Sequence, residues 1–180
     1  MKKIRLLQVS FDTEIKNYEI PAFRSAIAEK AGKEHILYHN HLSDSKFLYK
    51  YPLIQYKTIS RKPTIICIDE GVDDIHHFFE NRDWEIKISD RWLNMKIGRL
   101  HMNQFTMQVW DKSFTYSVLD WLALKPDNYK SYVEMESLAE RIRFLETILR
   151  GNIIAFAKGI GWTVDKTIKV NIQDIRKDRW

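Results

Sequence analysis

One cysteine, four prolines and six glycines are spread over 180 residues. The lone Cys67 excludes an internal disulfide and any zinc site built on several cysteines. It lies in Ile65-Ile66-Cys67-Ile68, where a small buried hydrophobe is expected rather than a nucleophile. No apolar run approaches the roughly 20 residues that cross a bilayer. The basic start Met1-Lys2-Lys3-Ile4-Arg5 runs directly into a strand-like segment and lacks a small-residue cleavage site, so a cytoplasmic location is expected. Low-complexity tracts are also missing, and 44% hydrophobic with 29% charged residues describes a globular chain, not a disordered one. There is no P-loop, Rossmann glycine fingerprint or nucleophile elbow. What remains is a basic balance, formal charge +5, which permits an anionic partner without requiring one.

The patterning that is present places the elements. Residues 3–12 read as a first strand rich in Ile, Leu, Val and Phe. Pro21 opens a helix expected to reach Lys30 and close near Gly32. Strands at about 35–42 and 47–59 flank a turn at Ser43-Asp44-Ser45-Lys46, with Pro52 bending the second or marking a sheet edge. A turn at Arg61-Lys62-Pro63 precedes an apolar strand, 64–69. Val72, Ile75, Phe78 and Phe79 then recur at helical spacing over 72–80. The order β-α-β-β-α lacks only the last strand of a ferredoxin-like unit, and the alternating 84–88 is expected to supply it. Strands at 92–98 and 100–110 would extend that sheet.

A second unit is expected to begin at residue 112, dividing the chain into 1–111 and 112–180. Residues 114–119 look like a strand. Leu138, Ile142, Leu145 and Leu149 define a helix over 131–149, with Glu140, Arg141, Arg143 and Glu146 between them. Gly151 or Asn152 is expected to interrupt it before 153–158, and 167–175 alternates as a last strand.

The chemistry concentrates in His39-Asn40-His41. Histidines two apart on a strand share a face, because strand side chains alternate. Two groups that exchange protons near neutral pH, beside cations and phenols, suit acid–base cleavage of a phosphodiester. If 43–46 is the turn, position 41 falls opposite about 48 and position 39 opposite about 50. Tyr49 and Lys50 then lie alongside the histidines. Lysine would stabilise charge developing on a phosphorane, and tyrosine would orient a ribose hydroxyl. The bland account is surface histidines, packed aromatics and a solvated lysine. An H-x-H pair also occurs in metallohydrolases, but no further ligand cluster has the right spacing, so no metal and no cofactor is expected. His76 and His77 are adjacent on a helix and do not share a face, and His101 has no evident partner. Lys62, Arg91, Lys96 and Arg99 can track phosphates, and each is as readily a solvated charge.

Several segments together resemble a known family. They are Pro21-Ala22-Phe23-Arg24, Tyr38-His39-Asn40-His41, Tyr51-Pro52-Leu53-Ile54-Gln55-Tyr56-Lys57 and Glu70-Gly71, followed by Trp121-Leu122-Ala123-Leu124, Asn128-Tyr129 and the glycine-punctuated 146–161. The resemblance is to the CRISPR-associated endoribonucleases that cut repeat RNA precursors, in the subtype with paired N-terminal histidines. It implies an α+β fold of two tandem ferredoxin-like (RRM-like) modules. It also implies metal-independent cleavage by 2′-hydroxyl attack, leaving a 2′,3′-cyclic phosphate and a 5′-hydroxyl. The family continues into a glycine-rich loop and a final strand that this sequence does not contain before Trp180, so an incomplete second module is expected.

On this reading His39, His41, Tyr49 and Lys50 carry the reaction, and Arg24, Lys33, Tyr51, Lys57 and Arg61 contact RNA. The partner is CRISPR repeat RNA, with no membrane association, and a homodimer is compatible with it. A non-catalytic RNA-binding module of the same fold is the alternative, followed by a metal-dependent phosphoesterase using the H-x-H pair.

Overall fold

The computed structural model describes residues 1–32, 36–38, 41–43, 46–47, 51–80, 85–119 and 121–175. It divides into two compact units, Met1–Gln108 and Val109–Trp180.

The first unit begins with β1 (Lys2–Phe11) and α1 (Ile20–Ala31), the helix carrying Pro21 in its first turn and Gly32 as its C-cap at φ 99°. A single turn of 3₁₀ helix, Ile36–Tyr38, leads to the short β2 (His41–Ser43) and β3 (Lys46–Phe47). Then come β4 (Ile54–Ile59), β5 (Lys62–Ile68) and α2 (Glu70–Glu80). β6 (Glu85–Ile88), β7 (Arg91–Asn94) and β8 (Ile97–Met107) complete the unit. Four strands form one sheet in the order β4-β5-β1-β8, with every pairing antiparallel. With β1, β4, β5 and β8 as its four strands and α1 and α2 as crossovers, this is the ferredoxin-like β-α-β-β-α-β arrangement.

Three expectations change here. The closing strand is β8, not 84–88; β6 pairs only with β7, as a separate two-stranded ribbon inserted after α2. Four residues of β6 match the alternation of a closing strand, but β8 has eleven and runs along β1 from Lys2↔Met107 to Phe11↔Ile97. The strands expected over 35–42 and 47–59 are likewise shorter, since 36–38 is a 3₁₀ turn and β4 starts only at Ile54. Finally, the β4–β5 turn is Ser60-Arg61, both at positive φ (51° and 63°), as a two-residue hairpin of the primed type requires. Pro63 therefore lies inside β5, opposite Thr58. Its missing N–H points towards β1, where pairing stops at Ser10↔Thr64, so no ladder bond is lost.

One face of this sheet holds the core. Leu7, Val9 and Phe11 of β1 alternate inward beside Ile65 and Cys67 of β5 and Ile54 of β4. Phe23 and Ile27 of α1, with Val72, Ile75 and Phe78 of α2, cover them. Phe23 sits edge-on to both Phe11 and Tyr56, at centroid distances of 6.0 and 5.7 Å. Cys67 is fully buried, and burial pushes its thiol up to about 12, which leaves it a packed hydrophobe. Gly71 is required by close approach: a Cβ there would lie 2.8 Å from the Leu53 carbonyl oxygen, which already accepts from Ile68 N.

The second unit contains α3 (Pro126–Glu134) and α4 (Leu138–Gly159), and no strand among its described residues. The single helix expected over 131–149 is split because Ser137 caps a new one. Its Oγ accepts from Glu140 N at 3.0 Å, and Glu140 Oε2 accepts from Ser137 N at 3.3 Å. That helix then passes through Gly151 and Asn152 without interruption; one glycine costs about 1 kcal/mol against alanine, too little to break 22 residues. The strands expected at 114–119 and 167–175 are not formed.

Candidate active site

The resemblance rests most heavily on Tyr38-His39-Asn40-His41 and on the run from Tyr51 to Lys57, and these two segments play different parts. His39, Tyr49, Lys50 and Lys33 lie outside the described residues. His41 is placed by its backbone as the first residue of β2, paired with Phe47. The expected register put position 48 opposite it. The ladder is displaced by one because its alignment shifts between His41 and Ser43, which pairs with Lys46.

The Tyr51–Lys57 run is a frame. Gln55 Nε2 donates to Tyr51 Oη at 3.1 Å and to the Pro52 carbonyl at 3.2 Å, tying the approach to β4 back onto the strand. Leu53 and Ile54 are buried. Tyr56 Oη reaches across and donates to the Tyr38 carbonyl at 3.2 Å. Tyr38 is itself buried, and its hydroxyl donates to the Asp74 carbonyl in α2 at 3.2 Å. Burial raises the phenol pKa of both tyrosines. At Tyr56 the nearby Arg24 guanidinium acts in the opposite direction, lowering it.

The four expected RNA contacts among the described residues, Arg24, Tyr51, Lys57 and Arg61, are therefore not one cluster. Arg24 is exposed on α1, on the side of the sheet where Tyr56 meets Tyr38. Lys57 is also exposed, but it alternates with Tyr56 and so projects from the opposite face. Arg61 belongs to the hairpin turn. Its guanidinium pairs with Glu14 at 3.2 Å and its carbonyl accepts from Ile15 N at 3.0 Å, contacts that hold the stretch after β1. Tyr51 precedes β4 and Arg61 follows it, so about 20 Å of strand separates them.

Other cations have structural work as well. Arg91 Nη2 donates to the buried Glu19 carboxylate, which also accepts from Lys16 N at 2.8 Å. That backbone bond, then the arginine, holds the Glu19 pKa below its ordinary value. Lys62 Nζ donates to the Asp12 carbonyl. Arg5 makes a two-pronged contact with Asp73, at 2.8 and 2.6 Å, that pins the start of α2 to β1. By contrast the side chains of Lys57 and Arg99 make no hydrogen bond or ion pair among the described residues, and both sit in one cross-strand row, Lys57-Thr64-Ser10-Arg99.

Among the described residues no three His, Cys, Asp or Glu side chains gather as metal ligands. No described helix is long and apolar enough to cross a membrane. A concavity in the second unit, lined by Ser131, Glu134, Met135, Glu136 and Glu140, is acidic and unsuited to phosphate.

The sequence patterns singled out the histidines but not the contact between Tyr56 and Tyr38. Both tyrosines stand in quoted motifs, yet a bond between residues 18 apart carries no local signature.

The fold and the frame around Tyr38 define an α+β protein whose first unit is a ferredoxin-like module and whose second holds two helices among its described residues. The family model of the Cas6b N-terminal domain matches residues 2–106, and that of the Cas6b C-terminal domain matches 108–180. The chain belongs to the Cas6b family. A crystal structure of Cas6b shares 27% identity with it at a TM-score of 0.81, covering 96% of this chain and 79% of the other. The crystal structure of a CRISPR RNA processing endoribonuclease, Cas6b, shares the fold at 23% identity and a TM-score of 0.59, covering 92% and 73%. No curated protein matches the chain.

Proposed function

We propose that this chain is an endoribonuclease that processes CRISPR repeat RNA without a metal, using His39 and His41 as the acid–base pair. The carrying observation is membership of the Cas6b family over residues 2–106, the region that includes both histidines. One imidazole takes the proton from a ribose 2′-hydroxyl, whose oxygen attacks the adjacent phosphorus. The other protonates the departing 5′-oxygen, leaving a 2′,3′-cyclic phosphate and a 5′-hydroxyl. Lys50 would meet the charge on the phosphorane, and Tyr49 would orient the ribose. Arg24 and Lys33 are assigned to phosphates near the scissile bond. Lys57, facing away from α1, is assigned to a different stretch of the RNA, with Tyr51 and Arg61 at the two ends of β4.

The test is single-turnover cleavage of labelled repeat RNA in excess EDTA, with and without a 2′-deoxy substitution at the cut position. Cleavage should survive EDTA and stop with 2′-deoxy. His39→Ala and His41→Ala should each lower the rate by roughly 10²–10⁴. Wild-type rates in both variants would end the assignment, loss in EDTA would favour a metal-dependent phosphoesterase, and binding without cleavage a passive RNA-binding module.

A further inference from the structure

Two part-buried hydroxyl hydrogen bonds tie down Tyr38, the residue immediately before His39. Tyr56 Oη donates to the carbonyl oxygen of Tyr38, and Tyr38 Oη donates to the carbonyl oxygen of Asp74, each at 3.2 Å. Tyr38 thus bridges β4 on one side and α2 on the other. Tyr38 is 1% exposed and its ring lies 6.5 Å from that of Phe78, while the Tyr56 ring is edge-on to Phe23. Three residues later His41 enters the β2–β3 ladder opposite Phe47. Tyr38 and His41, the described residues on either side of positions 39 and 40, are thus each tied down, Tyr38 by two phenol hydrogen bonds and His41 by a strand pairing.

The hydroxyls need an explanation that packing does not give. Phenylalanine would fill either ring position, and a buried hydroxyl costs desolvation unless it is bonded. What each hydroxyl does is fix one peptide carbonyl, and the carbonyl fixed by Tyr56 belongs to the residue joined to His39. A phenol is already protonated at neutral pH and burial raises both pKa values further, so both remain donors.

We infer that Tyr56 and Tyr38 are positioning residues for the His39–His41 pair, setting where the histidine segment leaves the core without touching RNA; this rests on the acid–base reading above. Misplacing a reacting group by about 1 Å can cost on the order of 10²-fold in rate, and losing one of two clamps should cost less.

The experiment uses the full chain with Tyr56→Phe, Tyr38→Phe and the double variant. Each keeps its ring, and thermal unfolding checks that each is folded at the assay temperature. Single-turnover cleavage at saturating protein should fall about 10-fold in either single variant, with the Kd for uncleaved 2′-deoxy repeat RNA within about twofold of wild type. The double variant should lose less than the product of the two, because both hydroxyls act through one stretch of backbone. Wild-type cleavage in both single variants overturns the inference. So does a weakening of Kd in step with the rate, which would make the hydroxyls part of RNA docking. His39→Ala and His41→Ala, run in parallel, read the underlying assignment separately. If they abolish cleavage while the phenylalanine variants retain it, the clamp alone is wrong.

Discussion

β1 and the segment 114–119 are written in similar letters, and only one of them is a strand. In β1, Leu7, Val9 and Phe11 alternate inward and are buried between β5 on one side and β8 on the other. In the second unit Phe114, Tyr116, Val118 and Leu119 are all exposed, on both phases of the alternation, and no ladder includes them. Alternation states that a segment can offer one face to a core. It becomes a strand when partner strands and covering helices are present to accept that face. The first unit supplies both, whereas among the described residues of the second only Leu145, Ala157, Gly159 and Ile160 are buried.

The most direct way to break this contrast is to remove the side chain on which the first unit's helix and sheet meet. Phe23 is fully buried, edge-on to Phe11 and Tyr56. Phe23→Ala should cost about 3–5 kcal/mol, read as a lower urea midpoint of the full chain, because the void lies between α1 and β1 and neither can collapse into it. A change below about 1 kcal/mol would mean that this interior is far more forgiving than its packing implies.

A finer probe is glycine. Gly71, in the first turn of α2, faces the Leu53 carbonyl, which is already held by Ile68 N. Gly71→Ala should therefore destabilise by roughly 1–3 kcal/mol, since a methyl group at 2.8 Å from a fixed backbone oxygen forces the helix or β4 to shift. The Glu70-Gly71 part of the family pattern thus owes its glycine to packing, not to chemistry. Unchanged thermal unfolding would show that α2 moves freely against β4.

How much of this was legible in the sequence follows from the range of the interactions. α1, with Pro21 in its first turn and Gly32 beyond its end, and α2, with its helical apolar spacing, depend on signals within a few residues and were readable. The Ser137–Glu140 capping box was equally local; the apolar spacing of 131–149 runs across it and obscured the break it makes. The choice of β8 over 84–88 as closing strand was not local, because both read as strands and only the pairing of β8 with β1 separates them. The histidine pair stood out as a residue type at a spacing. Its clamp did not, since Tyr56 and Tyr38 meet only once β4 has docked beside the 3₁₀ turn. Arg61 and Arg91 looked like phosphate contacts because their partners, Glu14 and Glu19, are 47 and 72 residues away.

Gly151 completes the comparison with the opposite sign. It lies inside α4, is exposed, and a Cβ built on it would meet nothing within 4 Å. Its φ is not among the positive values, so alanine fits its backbone without strain. Gly151→Ala then removes conformational freedom from the unfolded chain and supplies a better helix former, at no steric cost. The expected gain is about 0.5–1 kcal/mol, seen as a small rise in the urea midpoint and in helical circular dichroism. The same substitution that breaks a contact in the packed unit should thus tighten the exposed helix. A loss of stability at Gly151 would mean that this face of α4 is covered in solution, and the difference between the two units would narrow to that extent.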